Sequence, residues 1–193
     1  MRECTVGLAR RKDSRMRNIE IKARLRDLGE AEAVAQRLGG PQAHLRVVQV
    51  DTYFVVPAGR LKLREITGSV ERAEIIFYHR ADEAGPKRSE YDVVAVSNAS
   101  ELKGMLAAAL GIRTVVRKQR TVYIHKNVRI HLDAVDGLGT FLEFEAVMPD
   151  GAPDREGEDL LQRLMSEFSI QRGDLLESSY SDLVIQRGKE FVE

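Results

Sequence analysis

The chain has 193 residues, 43% hydrophobic and 31% charged, with Lys+Arg and Asp+Glu balanced at 30 each. That is enough apolar material for one domain with its own core, and the zero formal net charge argues against a general nucleic-acid coat. Cys4 is the single cysteine, which excludes an internal disulfide and a thiolate metal cluster and fits a reducing cytoplasm, and no apolar run reaches the roughly 18 residues of a membrane span.

Residues 1–16 are basic but lack the apolar stretch of a secretory signal, and a disordered extension is expected there, followed by one domain over 17–187. Asn18 to Arg26 alternates polar and apolar residues strictly, the period of a half-buried strand. Residues 28–38 read as a helix closed by Gly39-Gly40. Alternation returns over 44–56, with Gln49, Asp51 and Tyr53 on one face, and again over 60–64. Strands follow at about 72–80, carrying Glu74, Tyr78 and Arg80, and at 88–97. A second helix is expected over 100–110, with Asn98 or Ser100 near its N-cap. Strands at about 113–125, 128–135 and 140–147 come next, and helices over 154–168 and 173–187 finish the chain. The expectation is an α+β fold of about eight strands and about four helices.

An ordinary half-buried strand turns its polar face to water. Here the polar faces repeat acids and bases at i, i+2: Lys62 with Arg64, Lys118 with Arg120, Arg129 with His131 and Asp133, Glu143 with Glu145. The opposite faces are Leu, Ile, Val and Phe, and helices are available to cover them. If they do, the charged faces look at each other inside an antiparallel, closed, eight-stranded barrel, whose interior takes side chains or one small ligand. A basic interior needs an anion to compensate it. Many bases with a few carboxylates suit a phosphate chain with a divalent, oxygen-seeking metal such as Mg²⁺ or Mn²⁺.

These residues also resemble the CYTH domain family, the triphosphate tunnel enzymes that include class IV adenylyl cyclases and thiamine triphosphatase. The likeness spans about 17–185. It is carried by Asn18-Ile-Glu20-Ile-Lys22 (the family motif being Glu-x-Glu-x-Lys), Gln49-Val-Asp-Thr-Tyr-Phe54, Gly59-Arg-Leu-Lys-Leu-Arg-Glu65, Lys118-x-Arg120, Arg129-x-His131-x-Asp133, Leu138-Gly139-x-Phe141 and Glu143-x-Glu145. The resemblance implies metal ligation by Glu20, Glu143 and Glu145, with Asp133 a further candidate. It implies phosphate binding by Lys22, Lys62, Arg64, Arg80, Lys118, Arg120 and Arg129. Tyr53 and His131 are the candidate catalytic groups, His131 read as orienting rather than as the base.

Asn18 departs from the motif and brings no charge. The stretch Glu74-Ile75-Ile76-Phe77-Tyr78 lacks the Lys that one branch is thought to use with a Tyr in hydrolysis, which points away from thiamine triphosphatase. The wording is nearest the class IV cyclase-like branch, which implies conversion of ATP to cyclic AMP and pyrophosphate. Hydrolysis of a triphosphate to orthophosphate is the alternative, and a binding module without turnover is a third reading. The expected partner is a small triphosphate, not a membrane or nucleic acid; a homodimer is left open.

Overall fold

The computed structural model describes residues 16–80 and 85–190. In chain order it contains β1 (Met16–Arg24), α1 (Leu28–Gly39), β2 (Leu45–Phe54), β3 (Arg60–Gly68), β4 (Arg72–Arg80), β5 (Lys87–Val96), α2 (Ala99–Leu110), β6 (Ile112–His125), β7 (Val128–Val135), β8 (Gly139–Val147), α3 (Asp154–Glu167), a 3-10 turn (Arg172–Asp174) and α4 (Tyr180–Glu190). The strands form one closed barrel in the order β1-β5-β4-β3-β2-β6-β7-β8, and the β1–β8 pairing that closes it is antiparallel, like the others. Of the extension expected over 1–16, residues 1–15 lie outside the described residues and Met16 begins β1.

Period-2 alternation dictates this architecture. Ile19 and Ile21 of β1, Val128, Ile130 and Leu132 of β7, and Leu142, Phe144 and Ala146 of β8 point outward. There they meet Ala31 and Ala35 of α1 and Leu161, Leu164 and Met165 of α3 in one buried cluster. The main core therefore lies outside the barrel wall, and each large side chain buried in it contributes about 1.5–3 kcal/mol. Gly157 of α3 marks a close approach of helix to barrel. A Cβ there would stand 2.7 Å from Met148 Sδ and 2.9 Å from Ile19 Cγ1. Asp27 caps α1 by accepting from the Glu30 N–H, and Asn98, not Ser100, caps α2 by accepting from the Glu101 N–H. Among the described residues, no helix is long and apolar enough to cross a membrane.

Two expectations are corrected. Helix α2 was expected to cover an apolar wall, yet it buries none of its residues fully, and Met105 stays 64% exposed. The helix expected over 173–187 is interrupted. Leu175 bridges to Ala23 and the Leu176 N–H donates to Lys22 O (2.9 Å), so the chain runs extended along β1 before α4 begins. The start of α4 is then fixed from outside the helix. Asp182 accepts from Ser179 Oγ (2.6 Å), Arg60 (3.0 Å) and Arg113 (3.2 Å). This holds Tyr180 in a second apolar cluster with Tyr53, Val116, Val135 and Phe141, which plugs one end of the barrel.

Candidate functional site: a charged tunnel closed at one end

The inward faces of the strands line a cavity of about 440 Å³. Each strand can be followed outward from the plug by steps of two residues. From Phe141, β8 gives Glu143 and then Glu145. From Val116, β6 gives Lys118, Arg120, Val122 and Ile124. From Tyr53, β2 gives Asp51, Gln49, Val47 and Leu45. β3 gives Lys62, paired with Tyr53, then Arg64 and Ile66. β7 runs from Val135 through Asp133 and His131 to Arg129, and β1 from Lys22 through Glu20 to Asn18. The lumen is thus charged near the plug and apolar toward the mouth on the β2–β3–β6 side.

On that side the cations are organised by Asp51, which is 1% exposed. It accepts from Arg64 Nε (2.8 Å) and Nη2 (3.2 Å), from Lys62 Nζ (3.1 Å) and from Gln49 Nε2, with Lys118 Nζ at 3.7 Å. Burial alone would push the Asp51 carboxyl up, but Arg64, Lys62 and Lys118 together hold it well below the usual carboxylate range. Burial and the neighbouring Arg64 push Lys62 down to about 8. Burial and Arg120 push Lys118 down to about 7.

The β1–β8 wall is acidic. Glu20, Glu143 and Glu145 offer oxygens within 4.8 Å of one another. Register explains the grouping: Glu20 pairs with Glu145, and Lys22 with Glu143. Glu143 is bound by Lys22 Nζ (2.9 Å) and Arg120 Nη2 (2.6 Å), and although burial opposes its ionisation, these two cations keep its carboxyl well below its ordinary range. Two residues before Glu20 on β1, Asn18 Oδ1 is buried with no hydrogen-bond partner, while its Nδ2 donates to Tyr91 Oη (3.2 Å). The three carboxylates form an all-oxygen donor set that fits a hard divalent cation such as Mg²⁺ or Mn²⁺. Asn18 occupies the inward position of its family counterpart and offers an oxygen without the charge.

The remaining expected residues fall around these two groups. Asp133 lies outside the triad. Both its oxygens accept from Arg120 (2.6 Å each), and Tyr180 Oη donates to Oδ2 (2.9 Å), so it orients a base. His131 sits between the acids, Nδ1 3.8 Å from Glu143 and Nε2 3.9 Å from Glu145. Tyr53 is in the plug, its ring 5.5 Å from Lys62 Nζ, and burial raises its phenol well above the ordinary value. Arg129 reaches the mouth and donates to Glu145 (3.0 Å). The backbone of Arg80 pairs with Ser89, but its side chain is outside the described set.

Sequence reasoning underrated two residues. Asp51 shared a face with Gln49 and Tyr53, so its inward direction was legible, but its three cationic partners come from β3 and β6. Tyr180 lines the lumen with Lys22 Nζ 3.8 Å above its ring, a contact that depends on the docking of α4.

Known proteins share this fold. A Methanocaldococcus jannaschii protein whose name carries a provisional adenylate cyclase assignment is 23% identical over 179 residues, covering 87% of this chain and 98% of that one. The PH1012 protein of Pyrococcus horikoshii superposes with a TM-score of 0.75 at 22% identity, over 86% of this chain and 98% of that one. A Hippeastrum protein, described as an adenylyl cyclase candidate that reveals a dominant triphosphatase activity, superposes at 0.58 with 19% identity, over 89% and 96% of the two chains. The CYTH domain profile matches residues 16–180, strand β1 through the first residue of α4. By that match, and by a barrel whose acids and bases stand on opposed walls, the chain belongs to the CYTH domain family.

Proposed function

We propose that this protein is a metal-dependent enzyme acting on a triphosphate, of the adenylyl cyclase-like kind that converts ATP to cyclic AMP and pyrophosphate. One observation carries the reading: the carboxylates of β1 and β8 face Lys62, Arg64 and Lys118 across a tunnel plugged at one end, with Arg120 bridging to Glu143 (2.6 Å). A phosphate chain carries negative oxygens on every side, and a lumen of this kind offers it bases on one wall and a cation-holding wall opposite.

The plug fixes the direction of entry, terminal phosphate first. The inner phosphates then lie against Lys62, Lys118 and Lys22, and the α-phosphate lies farther out, beside Glu20 and Glu145. In the free protein Asp51 stands in for that anion, and the incoming phosphates compete with it for the same cations. A divalent cation held by Glu20, Glu143 and Glu145 would supply Lewis-acid stabilisation of charge on the phosphate oxygens. The ribose 3′-hydroxyl oxygen bonds to the α-phosphorus as its proton passes to solvent and the bond from the α-phosphorus to the bridging oxygen breaks, releasing pyrophosphate, and the deep bases are placed to neutralise the charge that this leaving group gains. His131 keeps Glu143 and Glu145 apart and oriented.

Hydrolysis at the γ-phosphate is a second reading, favoured by the dominant triphosphatase activity described for the Hippeastrum protein. The test is to incubate ATP, GTP, thiamine triphosphate and tripolyphosphate with Mg²⁺ or Mn²⁺ and identify the products. Cyclic AMP with pyrophosphate is expected. Orthophosphate alone sinks the cyclase reading in favour of the second, and tight tripolyphosphate binding without turnover leaves only a binding module.

The depressed lysines also set a pH dependence. Their ammonium forms are disfavoured in the free fold and favoured beside phosphate, so the bound-state pKa lies above the free-state one. Their help to affinity is complete below about pH 7 and is lost as pH rises through the bound value. Their effect on the ligand-free fold has the opposite sign. Both folded values lie below the ordinary lysine value, so their burial penalty lessens as pH rises from about 7. Calorimetry of tripolyphosphate binding at pH 8, in two buffers of different ionisation enthalpy, should show uptake of about one proton or slightly more. Zero uptake would mean that both lysines are already charged in the free tunnel.

A further inference from the structure

The inner end of the lumen is aromatic. Tyr53, Tyr78 and Tyr180 line it there with Ser179, and three lysines stand over their rings. Lys22 Nζ lies 3.8 Å and Lys118 Nζ 5.1 Å from the Tyr180 centroid, and Lys62 Nζ lies 5.4 Å from that of Tyr78 and 5.5 Å from that of Tyr53. The face of an aromatic ring is the negative part of its quadrupole, so it attracts an ammonium group and repels a phosphate. A phosphate that has reached the three lysines gains nothing by going deeper.

Tyr180 is the part of this floor that the barrel itself does not supply. It is buried, and its cluster partners Val116, Val135 and Phe141 lie behind it, buried and outside the cavity lining. Its ring packs 5.0 Å from that of Phe141. Both ends of the residue are held. The hydroxyl donates to Asp133 Oδ2 (2.9 Å), and two residues on, Asp182 is tied to Arg60 of β3 (3.0 Å) and Arg113 of β6 (3.2 Å).

The depth of the tunnel follows from this floor. Lys22 stands on it, and Glu20, with its register partner Glu145, is two residues farther out on β1, a rise of about 6.6 Å. A triphosphate spans about that distance from its first phosphorus to its last. Its terminal phosphate then rests against the rings, with no space beyond it for a substituent. A cap on that phosphate would have to displace a fixed ring or draw the whole chain outward, away from the lysines.

Resting on the triphosphate reading above, we propose that Tyr180 is a specificity-determining residue: it makes the tunnel accept only chains that end in an unesterified phosphate and exclude those capped at both ends, such as dinucleoside polyphosphates. The cyclase and hydrolase readings place the terminal phosphate alike, so the assignment holds for either reaction.

The test is equilibrium calorimetry in EDTA, which prevents metal-dependent turnover, with ATP, its γ-fluoro analogue and its γ-ethyl ester. The last two carry the same charge, and only the ester has bulk beyond the terminal phosphate. The parent protein should bind the ester at least about tenfold more weakly than the fluoro analogue, a difference of about 1.4 kcal/mol. Tyr180→Ala opens an apolar space against Val116, Val135 and Phe141 that suits an ethyl group, so the gap should close to within about threefold. Tyr180→Phe keeps the ring and loses only the hydroxyl, and its gap should stay within about twofold of the parent's. Tyr180→Leu takes the place of the alanine variant if that one folds poorly, and should narrow the gap in the same direction. Equal affinity of ester and fluoro analogue in the parent overturns the closed end, while ATP binding leaves the tunnel reading standing. A gap that the smaller side chains leave intact takes the role away from Tyr180, and one that Tyr180→Phe abolishes overturns the steric argument. Failure of ATP to bind at all overturns the tunnel reading and the proposal with it.

Discussion

Asp51→Asn should melt about 10 °C below the parent protein when no ligand is present, and tripolyphosphate should restore most of the difference. Asp51 is the carboxylate on which Lys62, Arg64 and Lys118 converge. Removing one partner of a buried ionic cluster leaves uncompensated charge and costs about 3–5 kcal/mol. The lower end applies here, because both lysines already sit near neutrality, at about 8 and about 7, and can shed their protons. A loss of about 3 kcal/mol corresponds to roughly 2–4 °C per kcal/mol in a domain of this size. Tripolyphosphate supplies the missing anion, and at a hundredfold excess over its dissociation constant it contributes about 2.7 kcal/mol. Differential scanning fluorimetry with and without tripolyphosphate measures both parts. The ligand-induced rise should be larger in the variant than in the parent. A variant as stable as the parent, or one that tripolyphosphate does not rescue, would show that Asp51 is not the stand-in for phosphate.

Glu143→Gln should weaken metal binding. Glutamine preserves the volume and one acceptor oxygen but removes a charge from the triad of Glu20, Glu143 and Glu145. Loss of even an outer-shell partner typically costs 10–100-fold in metal affinity, so Mn²⁺ binding measured by calorimetry should weaken at least about tenfold. Metal-dependent turnover should fall by about 100-fold or more. Glu143 also neutralises Lys22 and Arg120, so a loss of stability in the free protein of the kind argued for Asp51 accompanies the change. Unchanged Mn²⁺ affinity in this variant would remove Glu143 from the metal site. The same measurement on Glu20→Gln, whose register partner is Glu145, tests whether the ions sit on that pair instead.

How much of this was legible in the sequence depends on the distance over which each feature is determined. Alternation in Arg129-Ile-His131-Leu-Asp133 and in Glu143-Phe-Glu145 is local. It placed the charges on one side of each strand and the apolar residues on the other, and the structure keeps both faces as read. Closure was legible too, because facing charged walls need a shared interior. The partners of each charge were not. Asp133 was a further metal-ligand candidate by the family resemblance alone, and strand register sets it opposite Arg120 and two residues closer to the plug than His131. Asp51 went without a role for the same reason. Its inward direction is a property of β2, but its importance is a property of β3 and β6.

The helices divide in a similar way. Amphipathic α3 reads correctly, because its apolar stripe buries Leu161, Leu164 and Met165. The apolar composition of α2 suggested burial that packing does not give it. The stretch after α3 was expected to be helical over 173–187, but hydrogen bonding to β1 keeps Leu175 and Leu176 extended. Tertiary pairing overrides propensity there, as it does wherever the free-energy difference between conformers is a fraction of a kcal/mol per residue.

The sequence by itself determined the barrel and its charged lumen, because a period of two residues sorts side chains to two faces without reference to any neighbour. Only the tertiary structure decided which end is closed, which carboxylates face a metal and which clasp a base, and where the charged lining gives way to an aliphatic mouth. Those are set by register between strands and by the docking of α4, and both depend on contacts between residues tens to more than a hundred positions apart, such as Tyr180 with Asp133 and Lys22.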